Sequence, residues 1–558
     1  MRLSKEKVKS RALCNRSGIE MVSPSLILTN ARIYTGDPAA PEVEGLACSG
    51  GRILKIGKGS EIEALAGPKT KVIDAQDRRV LPGFIDAHVH LSYGYRIGNW
   101  IDLSDHPTIK EVQRRVAEYA RLHPEESMIV GRGFDYAALG TEGLPSKADL
   151  NVAVDDRPVI LVAWDGHTGW GNSRFVEGAL AAIRRAGHDV GEMQRDPRTQ
   201  EPTGIFHLIF DLEAYMPEYQ QRRSVEGLRR VLVTAASYGI TTAFDVQMNL
   251  EYLHAYEELR AGSKLPIRIR AAIYHPREIS RNLYPKFKET MGRFNDDWFR
   301  VGAVKLYIDG VQETGTAALL EPYSNNPVSR GETVYSVSEF REIASELDKS
   351  GFQICVHACG DRGVRIALDA YEAAAKENRT AGRRHRIEHC ENLAPEDIPR
   401  FAKLGVIPCM MPRHSAPELT ARWREAVGPS RTRIAFPWRE LLDSGARLAF
   451  ASDWPVADLN PLVGIYEAVV RKDPEGNSSP HRLTRKEAVD AYTAGAAFAT
   501  YCEIDRGTLE VDKYADIVML SQDLFEVTVE HLPKTKVICT IVDGKVVFAD
   551  PDTHYQES

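Results

Sequence analysis

The 558-residue chain contains the segment PGFIDAHVHL, residues 82–91, in which two histidines lie two positions apart. The segment is typical of a buried β-strand, whose side chains alternate between two faces. Asp86, His88 and His90 would share one face of this strand. The apolar residues that would form the opposite face are Ile85, Ala87, Val89 and Leu91.

Four later strand-like segments carry a further residue that can bind a metal ion or move a proton. These residues are Lys305 in VGAVKLYI, His357 in FQICVHA, His389 in RHRIEHC and Asp453 in ARLAFASD. In RHRIEHC, His389 would share a face with His385 and Ile387, whereas Arg386 and Glu388 would form an ion pair on the other.

Each of these residues also has a simpler interpretation. A single interior histidine is commonly a hydrogen-bonded core residue, Asp453 could cap the helix that follows it, and Lys305 could pair with Asp309. Six such residues converging at one site would cost several kcal/mol in lost hydration unless something binds them. A divalent metal ion meets that requirement, since imidazole and carboxylate groups are zinc-type ligands.

The elements that would position these residues alternate between apolar strands and helix-like segments, which favours a parallel sheet covered by helices. Eight candidate strands match the number in a (β/α)8 TIM barrel, whose active site lies at the carboxyl ends of its strands. The candidates span residues 84–91, 239–246, 266–274, 301–308, 352–358, 384–390, 405–411 and 446–453. The sequence therefore predicts an α/β fold with a TIM barrel at its centre.

The remaining segments predict two additions to the barrel, which would occupy residues 81–504. Residues 24–80 and 505–550 contain short strands and turns, and indicate a small β-sandwich built from both chain ends. The interval between the first two barrel strands is too long for one βα unit. It predicts an inserted subdomain, residues 125–220, after the first barrel strand.

Composition and charge argue against two classes of partner, nucleic acids and membranes. A net charge of −7 and the lack of a basic stripe argue against a nucleic-acid partner. No apolar stretch reaches the roughly 18 residues that span a bilayer.

Residues 1–23 lack the apolar core of a signal peptide and predict a disordered leader. A mitochondrial transit peptide is the alternative, which Glu6 and Glu20 disfavour. The eight cysteines show no disulfide spacing, so we expect reduced thiols and a cytoplasmic location.

The motifs together resemble the metal-dependent amidohydrolase superfamily and, within it, the YtcJ-like branch, amidohydrolase family 3. The resemblance runs from about residue 25 to about residue 550. The segments that carry it, in chain order, are LPGFIDAHVHL, GRGFDYAALG, RPVILVAWDGHTGWGNS, EPTGIF, GITTAFD, VKLYIDG, VHACGDR, RIEHCE, SDWPVADLNPL and YTAGAAFAT.

The resemblance implies a binuclear metal centre with two divalent ions, most simply zinc, and a CO2-derived carbamate on Lys305 that bridges them. His88 and His90 would bind one ion, and His357 and His389 would bind the other. Asp453 would ligate the first ion and act as general acid and base, while a shared hydroxide attacks the carbonyl carbon of an amide-type C–N bond.

The resemblance also implies substrate contacts. His167 in WDGHTGW would reach the active site and hydrogen-bond the substrate, with Trp164 nearby, although a surface-loop histidine is the simpler interpretation. Met411 precedes Pro412 where the family has a Gln-Pro pair, which changes the expected pocket. An aromatic and thioether lining predicts a small neutral or singly charged amide with a bulky aryl or alkyl group.

Two other functions remain open. A mononuclear deaminase of the same superfamily would lack the bridging lysine and carry a glutamate shortly after the fifth-strand histidine. Here Lys305 is present, and the segment HACGD, which starts at that histidine, contains no glutamate. A catalytically inactive homologue with a binding role would have lost ligands. We expect a small-molecule substrate, no nucleic-acid or membrane partner, and a second copy of the chain as a candidate partner in a homodimer.

Overall fold

The computed structural model describes residues 23–557, except 98–99, 104–106, 135–144, 164–167, 187–192, 208–224, 278, 280, 418, 474–475 and 553–555. All but the last residue of the predicted leader, residues 1–23, lies outside this part of the chain. Three sheets organise the described residues: a central parallel sheet of eight strands, a sheet of nine strands from the two chain ends, and a sheet of six strands from the interval after the first barrel strand.

The central sheet forms the predicted (β/α)8 barrel. Its strands, in chain order, are Phe84–Val89, Ile240–Met248, Arg268–Tyr274, Phe299–Tyr307, Gln353–Ala358, Arg386–His389, Ile407–Met410 and Ala449–Phe450. Each strand pairs in parallel with the next. The last strand meets the first through the residues that follow the last strand, because the Asp453 amide donates a 2.9 Å hydrogen bond to the His88 carbonyl. The fold class predicted from the sequence is therefore confirmed.

Helices alternate with the barrel strands and cover their outer faces. The α-helices are Gly59–Glu63, Tyr93–Ile97, Ile109–Leu122, Lys147–Asn151, Ser173–Ala186, Val225–Ser237, Leu253–Ala261, Tyr284–Arg293, Val337–Lys349, Asp361–Asn378, Ile398–Leu404, Ala421–Val427, Pro429–Arg433, Trp438–Asp443, Pro461–Val470, Arg485–Asp490 and Ala496–Ala499. Short 3-10 segments span Leu250–Tyr252, Arg281–Leu283, Gln312–Thr314, Pro395–Asp397, Pro412–Ser415 and Val529–Lys534, and a π turn spans Ala491–Gly495. None of the described helices is long and apolar enough to cross a membrane.

The helix Val337–Lys349 illustrates how the sequence defines one of these elements. Ser336 accepts a hydrogen bond from the Glu339 amide, and the Glu339 side chain bonds back to the Ser336 amide, so a capping box starts the helix. Phe340 and Leu347 on one side of the helix are fully buried. They pack into the large core between the outer face of the barrel and its helices.

The nine-stranded sheet joins the two chain ends. Its strands are Leu26–Tyr34, Glu42–Val43, Gly45–Ser49, Arg52–Gly57, Lys71–Pro82, Ile517–Leu520, Val537–Val542, Lys545–Ala549 and Gln556–Glu557. Lys71–Pro82 pairs in parallel with Leu26–Tyr34 and antiparallel with Ile517–Leu520, and this pairing links the N-terminal to the C-terminal segment.

The six-stranded sheet lies in the interval after the first barrel strand and has its own apolar cores. Its strands are Ile101–Asp102, Ile129–Phe134, Val159–Ala163, Thr168–Gly171, Met193–Arg195 and Pro202–His207. The sheet thus begins at Ile101, before residue 125, where the sequence placed the start of the inserted subdomain. A two-residue strand carries no alternating pattern that could reveal it. The division of the chain into domains stays a prediction.

Candidate metal centre

All six residues predicted as metal ligands lie together, buried, at the carboxyl ends of the barrel strands. His88 Nε2 and His90 Nε2 lie 3.1 and 3.0 Å from the same oxygen, Oδ1 of Asp453. The ring centroids of His357 and His389 are 4.3 Å apart, and those of His88 and His389 are 5.1 Å apart. Five barrel strands or the residues just after them supply this cluster, as expected for a barrel active site.

The junction between the first and last barrel strands holds His90 and Asp453 in place. The His90 amide donates to the Trp454 carbonyl at 2.8 Å, and Asp453 adopts a positive φ of 60° that turns the chain after the last strand. Asp86 does not join the metal cluster. Its carboxylate accepts hydrogen bonds from the Ser452 hydroxyl and amide and from the His88 amide, so it ties the two strands together.

The sixth strand corrects one prediction about side-chain direction. Arg386 and Glu388 form the predicted ion pair, at 2.8 Å, but they face the barrel interior. The guanidinium of Arg386 lies 4.5 Å from the ring centre of Phe244, an interior residue. His385 instead faces outward and bonds Asp348 on the helix Val337–Lys349. His389 still reaches the cluster, because a positive φ of 75° breaks the alternation at the strand end.

Glu388 is a site residue that the sequence interpretation missed. Its Oε2 lies 2.6 Å from His88 Nδ1, and both side chains are fully buried. Burial alone would raise the pKa of Glu388, but Arg386 and His88 hold it well below its usual range, so the group is a carboxylate. Such a partner fixes the tautomer of a histidine and directs its other nitrogen, here Nε2, toward a metal. The sequence offered one signal for Glu388, since the predicted ion pair with Arg386 placed a charged residue directly before His389.

Lys305 is fully buried near the carboxyl end of the fourth barrel strand, and its Nζ has no hydrogen-bond partner among the described residues. Burial lowers the pKa of this ammonium. The alternative pairing with Asp309 is not formed, because that carboxylate accepts hydrogen bonds from three backbone amides. The donors are Ala318, Cys359 and Gly360, at 2.9 to 3.0 Å.

His414 and Glu391 extend the cluster and were also missed. His414 stacks parallel to His389, with ring centroids 5.9 Å apart, and its Nε2 lies 3.6 Å from Asp453 Oδ2. Its Nδ1 lies 3.4 Å from Glu391, which also accepts a hydrogen bond from the Trp423 indole at 3.1 Å. His414 belongs to the MMPRH segment. The sequence interpretation assigned Met411 in this segment to the substrate pocket and gave no role to the histidine three residues later.

Of the three predicted substrate residues, the structure describes one, Met411. His167 and Trp164 lie outside the described residues. Met411 is 1% exposed and packs in an apolar cluster with Ala449 and Ala451 of the last barrel strand and the residue after it. Its contact with substrate stays a prediction. Cys355, Cys390 and Cys409 are free and buried.

The chemistry of the cluster fits divalent metal ions. Five of its buried nitrogens have no hydrogen-bond partner among the described residues, and these are His88 Nε2, His90 Nδ1, Lys305 Nζ, His389 Nδ1 and His414 Nε2. Burial lowers the pKa of His88 and His389, and lowers that of His357 to about 3. Neutral imidazoles keep a free lone pair for a metal. Burial would raise the pKa of Asp453, but His88 and His90 hold it far below its usual range.

Among the described residues, four groups of side chains bring their donor atoms close enough to share an ion, and two of these each contain two of the predicted histidine ligands. One consists of His88, His90 and Asp453, and the other contains His357 and His389 together with Cys359. Cys359 Sγ lies 3.4 Å from His357 Nε2. The first group offers two nitrogens and a carboxylate oxygen, a donor set suited to zinc. His389 is also grouped with Glu391 and His414.

Comparisons with known proteins identify the family of this chain. The model of the amidohydrolase family matches residues 71–548. The chain is 30% identical to Protein LONG AFTER FAR-RED 3 of Arabidopsis thaliana, over 94% of this chain and 91% of that protein. It is 27% identical to the putative amidohydrolase YtcJ of Bacillus subtilis, over 92% and 98% of the two chains. It is 26% identical to the N-substituted formamide deformylase of Arthrobacter pascens, over 93% and 97%.

A solved structure gives the same result at the level of the fold and the family. An uncharacterized metal-dependent hydrolase from Pyrococcus furiosus superposes with a TM-score of 0.69 at 28% identity, covering 90% of this chain and all of that one. The resemblance to the YtcJ-like branch that was drawn from the motifs is confirmed. This chain belongs to the amidohydrolase family.

Proposed function

We propose that this protein is a metal-dependent hydrolase that cleaves the C–N bond of a small amide. The observation that carries the proposal is the convergence of four buried histidines, Lys305 and Asp453 at the barrel mouth. The names of two relatives support it, since one is an N-substituted formamide deformylase and the other a metal-dependent hydrolase.

The residues that would hold the metal follow from the two groups of donor atoms. His88, His90 and Asp453 would hold one divalent ion, and His357 and His389 a second, with zinc as the proposed metal. Lys305 would bridge them after carboxylation of its amine. An unmodified ammonium between two cations would be repelled, whereas a carbamate is anionic and has two oxygen donors. The unpartnered Nζ of Lys305 supports this role.

Bound divalent ions would polarise the scissile carbonyl and lower the pKa of an attacking water toward 7. Side chains of this protein would transfer the proton. Asp453 accepts the proton of the attacking water and passes it to the leaving nitrogen. Its two oxygens face different neighbours, since Oδ1 lies near His88 and His90, and Oδ2 lies 3.6 Å from His414. Glu388 keeps His88 oriented throughout.

The proposed substrate is a neutral or singly charged amide with a bulky aryl or alkyl substituent. The motif likeness that assigns His167 and Trp164 to the substrate supports this class, and so does Met411 in place of a polar residue. The relative named N-substituted formamide deformylase suggests that an N-formyl group on such an amine is the first compound to assay.

Two measurements test the proposal together. Elemental analysis after reconstitution with zinc and bicarbonate should give about two ions per chain, and one ion or fewer would contradict the binuclear site. A screen of N-formyl, N-acyl and N-aryl amides, assayed by release of the free amine, should find turnover that is lost in Asp453→Asn. Release of ammonia from an amino-substituted ring would instead identify a deaminase, and two bound metals without any turnover would favour an inactive homologue.

A further inference from the structure

The end of the barrel opposite the metal centre contains a cavity of about 190 Å³. This is several times the ~30 Å³ that one liquid water molecule occupies. Three arginines line it: Arg270 near the start of the third strand, Arg300 near the start of the fourth, and Arg383 before the sixth. No aspartate or glutamate is among its described lining residues.

The strand register brings two of these charges side by side. Arg270 and Arg300 are paired across neighbouring parallel strands, so their side chains leave the sheet on the same face. Like charges placed directly opposite each other on neighbouring strands are destabilising. Arginine cannot relieve this repulsion by losing its proton, because its pKa exceeds 12.

The buried member of the pair, Arg270, has a thiol partner but no carboxylate partner among the described residues. Arg270 is 5% exposed, and it donates to Cys502 Sγ at 3.2 Å and to the Ile269 carbonyl at 3.1 Å. Within the described part of the chain, no carboxylate lies within ion-pair distance of Arg270 or Arg300. A buried guanidinium without an anionic partner costs several kcal/mol.

The nearest carboxylates are already engaged. Asp348 lies 3.3 Å from Arg383 Nε, but it also accepts hydrogen bonds from His385, Asn378 and Thr380. Asp297 accepts the hydroxyl of Tyr514. Asp348 therefore balances Arg383 in part, and the positive charge left without a carboxylate at the cavity is that of Arg270 and Arg300.

We propose that the cavity binds a small oxyanion, either phosphate or the carboxylate group of a metabolite, between Arg270, Arg300 and Arg383. The planar guanidinium fork matches either group through paired, charge-assisted hydrogen bonds. Gly302 leaves room for the ligand, since a Cβ at this lining position would meet no atom within 4 Å. A ring of arginines around an anion would explain why two like charges occupy paired positions.

This site is separate from the proposed active site. The side chains of Phe244, Ala303 and Cys355 form an apolar cluster inside the barrel. Ala303 lies between Arg300 and Lys305 on the fourth strand, so this cluster separates the cavity from the metal centre. The anion would therefore be a stabilising or regulatory ligand and not the substrate.

The test uses the full-length, metal-loaded protein with inorganic phosphate in one arm and succinate in the other. Calorimetry and thermal unfolding are measured against sodium chloride at matched ionic strength. The variants are Arg300→Gln, which removes one charge, and Gly302→Val, which fills the cavity and keeps every charge. Arg422→Gln, an exposed position elsewhere, is the matched control.

We expect one of the two anions to bind and to raise the unfolding temperature. Arg300→Gln should weaken that binding by about 10-fold or more, the usual effect of losing one charge-assisted hydrogen bond. Gly302→Val should abolish it, and Arg422→Gln should leave it unchanged. The arm with tighter binding identifies the phosphate or the carboxylate source.

Two results would overturn the proposal. The first is that neither anion binds more strongly than chloride. The second is that the anion binds equally well to wild type, Arg300→Gln and Gly302→Val, which would assign it to the metal centre or to the surface. Arg270→Gln is avoided because the side chain is buried and the variant could fail to fold.

Discussion

Replacing Glu388 by glutamine tests whether a buried carboxylate orients a metal-binding histidine. The wild-type carboxylate serves two partners, since it lies 2.6 Å from His88 Nδ1 and 2.8 Å from Arg386 Nη2. Loss of the partner of a ligating histidine typically weakens metal binding 10- to 100-fold, which is about 1.4 to 2.7 kcal/mol. Loss of one member of a buried ion pair typically costs about 3–5 kcal/mol of stability, because the other charge is left unpaired.

These two effects are separable with a second substitution. In the double variant Arg386→Met/Glu388→Gln no buried charge remains unpaired, so most of the lost stability should return. Metal binding should stay 10- to 100-fold weaker, because His88 still lacks its carboxylate. Zinc affinity is measured by competition with a chromophoric chelator, and stability by thermal unfolding of the metal-free protein, so that bound metal does not contribute to the unfolding temperature.

The control is an Arg–Glu pair remote from the metal cluster. Arg384 and Glu503 lie 2.6 Å apart on a partly exposed part of the barrel. Glu503→Gln should leave zinc affinity unchanged. The reasoning would be refuted if the double variant regained wild-type zinc affinity together with its stability. Glu388 would then matter solely as the counter-charge of Arg386.

Three further predictions concern the proton-transfer group, the lysine and acid stability. Asp453→Asn should lower kcat, measured by amine release, by roughly 10²–10⁴-fold. The control Asp458→Asn, at an exposed position nearby, should have a normal kcat. A near-normal kcat for Asp453→Asn would mean that the Asp453 carboxylate has only a structural role. Lys305→Ala should lose one metal ion and most activity, and acetate or propionate should restore part of both if a bridging carboxylate is what was lost; restoration by chloride alone would contradict the carbamate. Burial would raise the pKa of Asp348, but hydrogen bonds led by that of His385 lower it to about 2, so its contribution is present above pH 4 and is lost as pH falls toward 2. Asp348→Asn should therefore cost about 2 kcal/mol at pH 7 and much less near pH 2.5, and equal unfolding temperatures at pH 7 would contradict this.

The barrel could be predicted from the sequence because its signal is repeated. Eight apolar segments of similar length each gave the position of a strand, and the structure pairs them in chain order. The first strand of the six-stranded sheet gave no such signal, since Ile101–Asp102 contributes two residues to that sheet. Strand pairing there depends on contacts between distant segments, which a local pattern of side chains does not encode.

The convergence of the six candidate ligands was predictable for a different reason. A strand that carries His88 and His90 among apolar residues must bury both rings, and four other strand ends carry groups that complement them. The likeness to a known family then assigned each residue a role. Glu388 and His414 were missed because neither is part of that shared ligand set, and because alternation placed Glu388 on the wrong face.

The sixth strand shows where alternation stops being a reliable guide. Within Arg386–His389 the pattern would place His389 opposite Glu388, and the interior position of Glu388 should then send His389 outward. The positive φ of His389 reverses this at the last residue, so both side chains face the cluster. A non-glycine residue in the left-handed region is uncommon and is held there by its surroundings. The strain lies at the candidate site, because it lets one strand supply both a proposed metal ligand, His389, and the carboxylate that contacts a second histidine, His88, from the first strand.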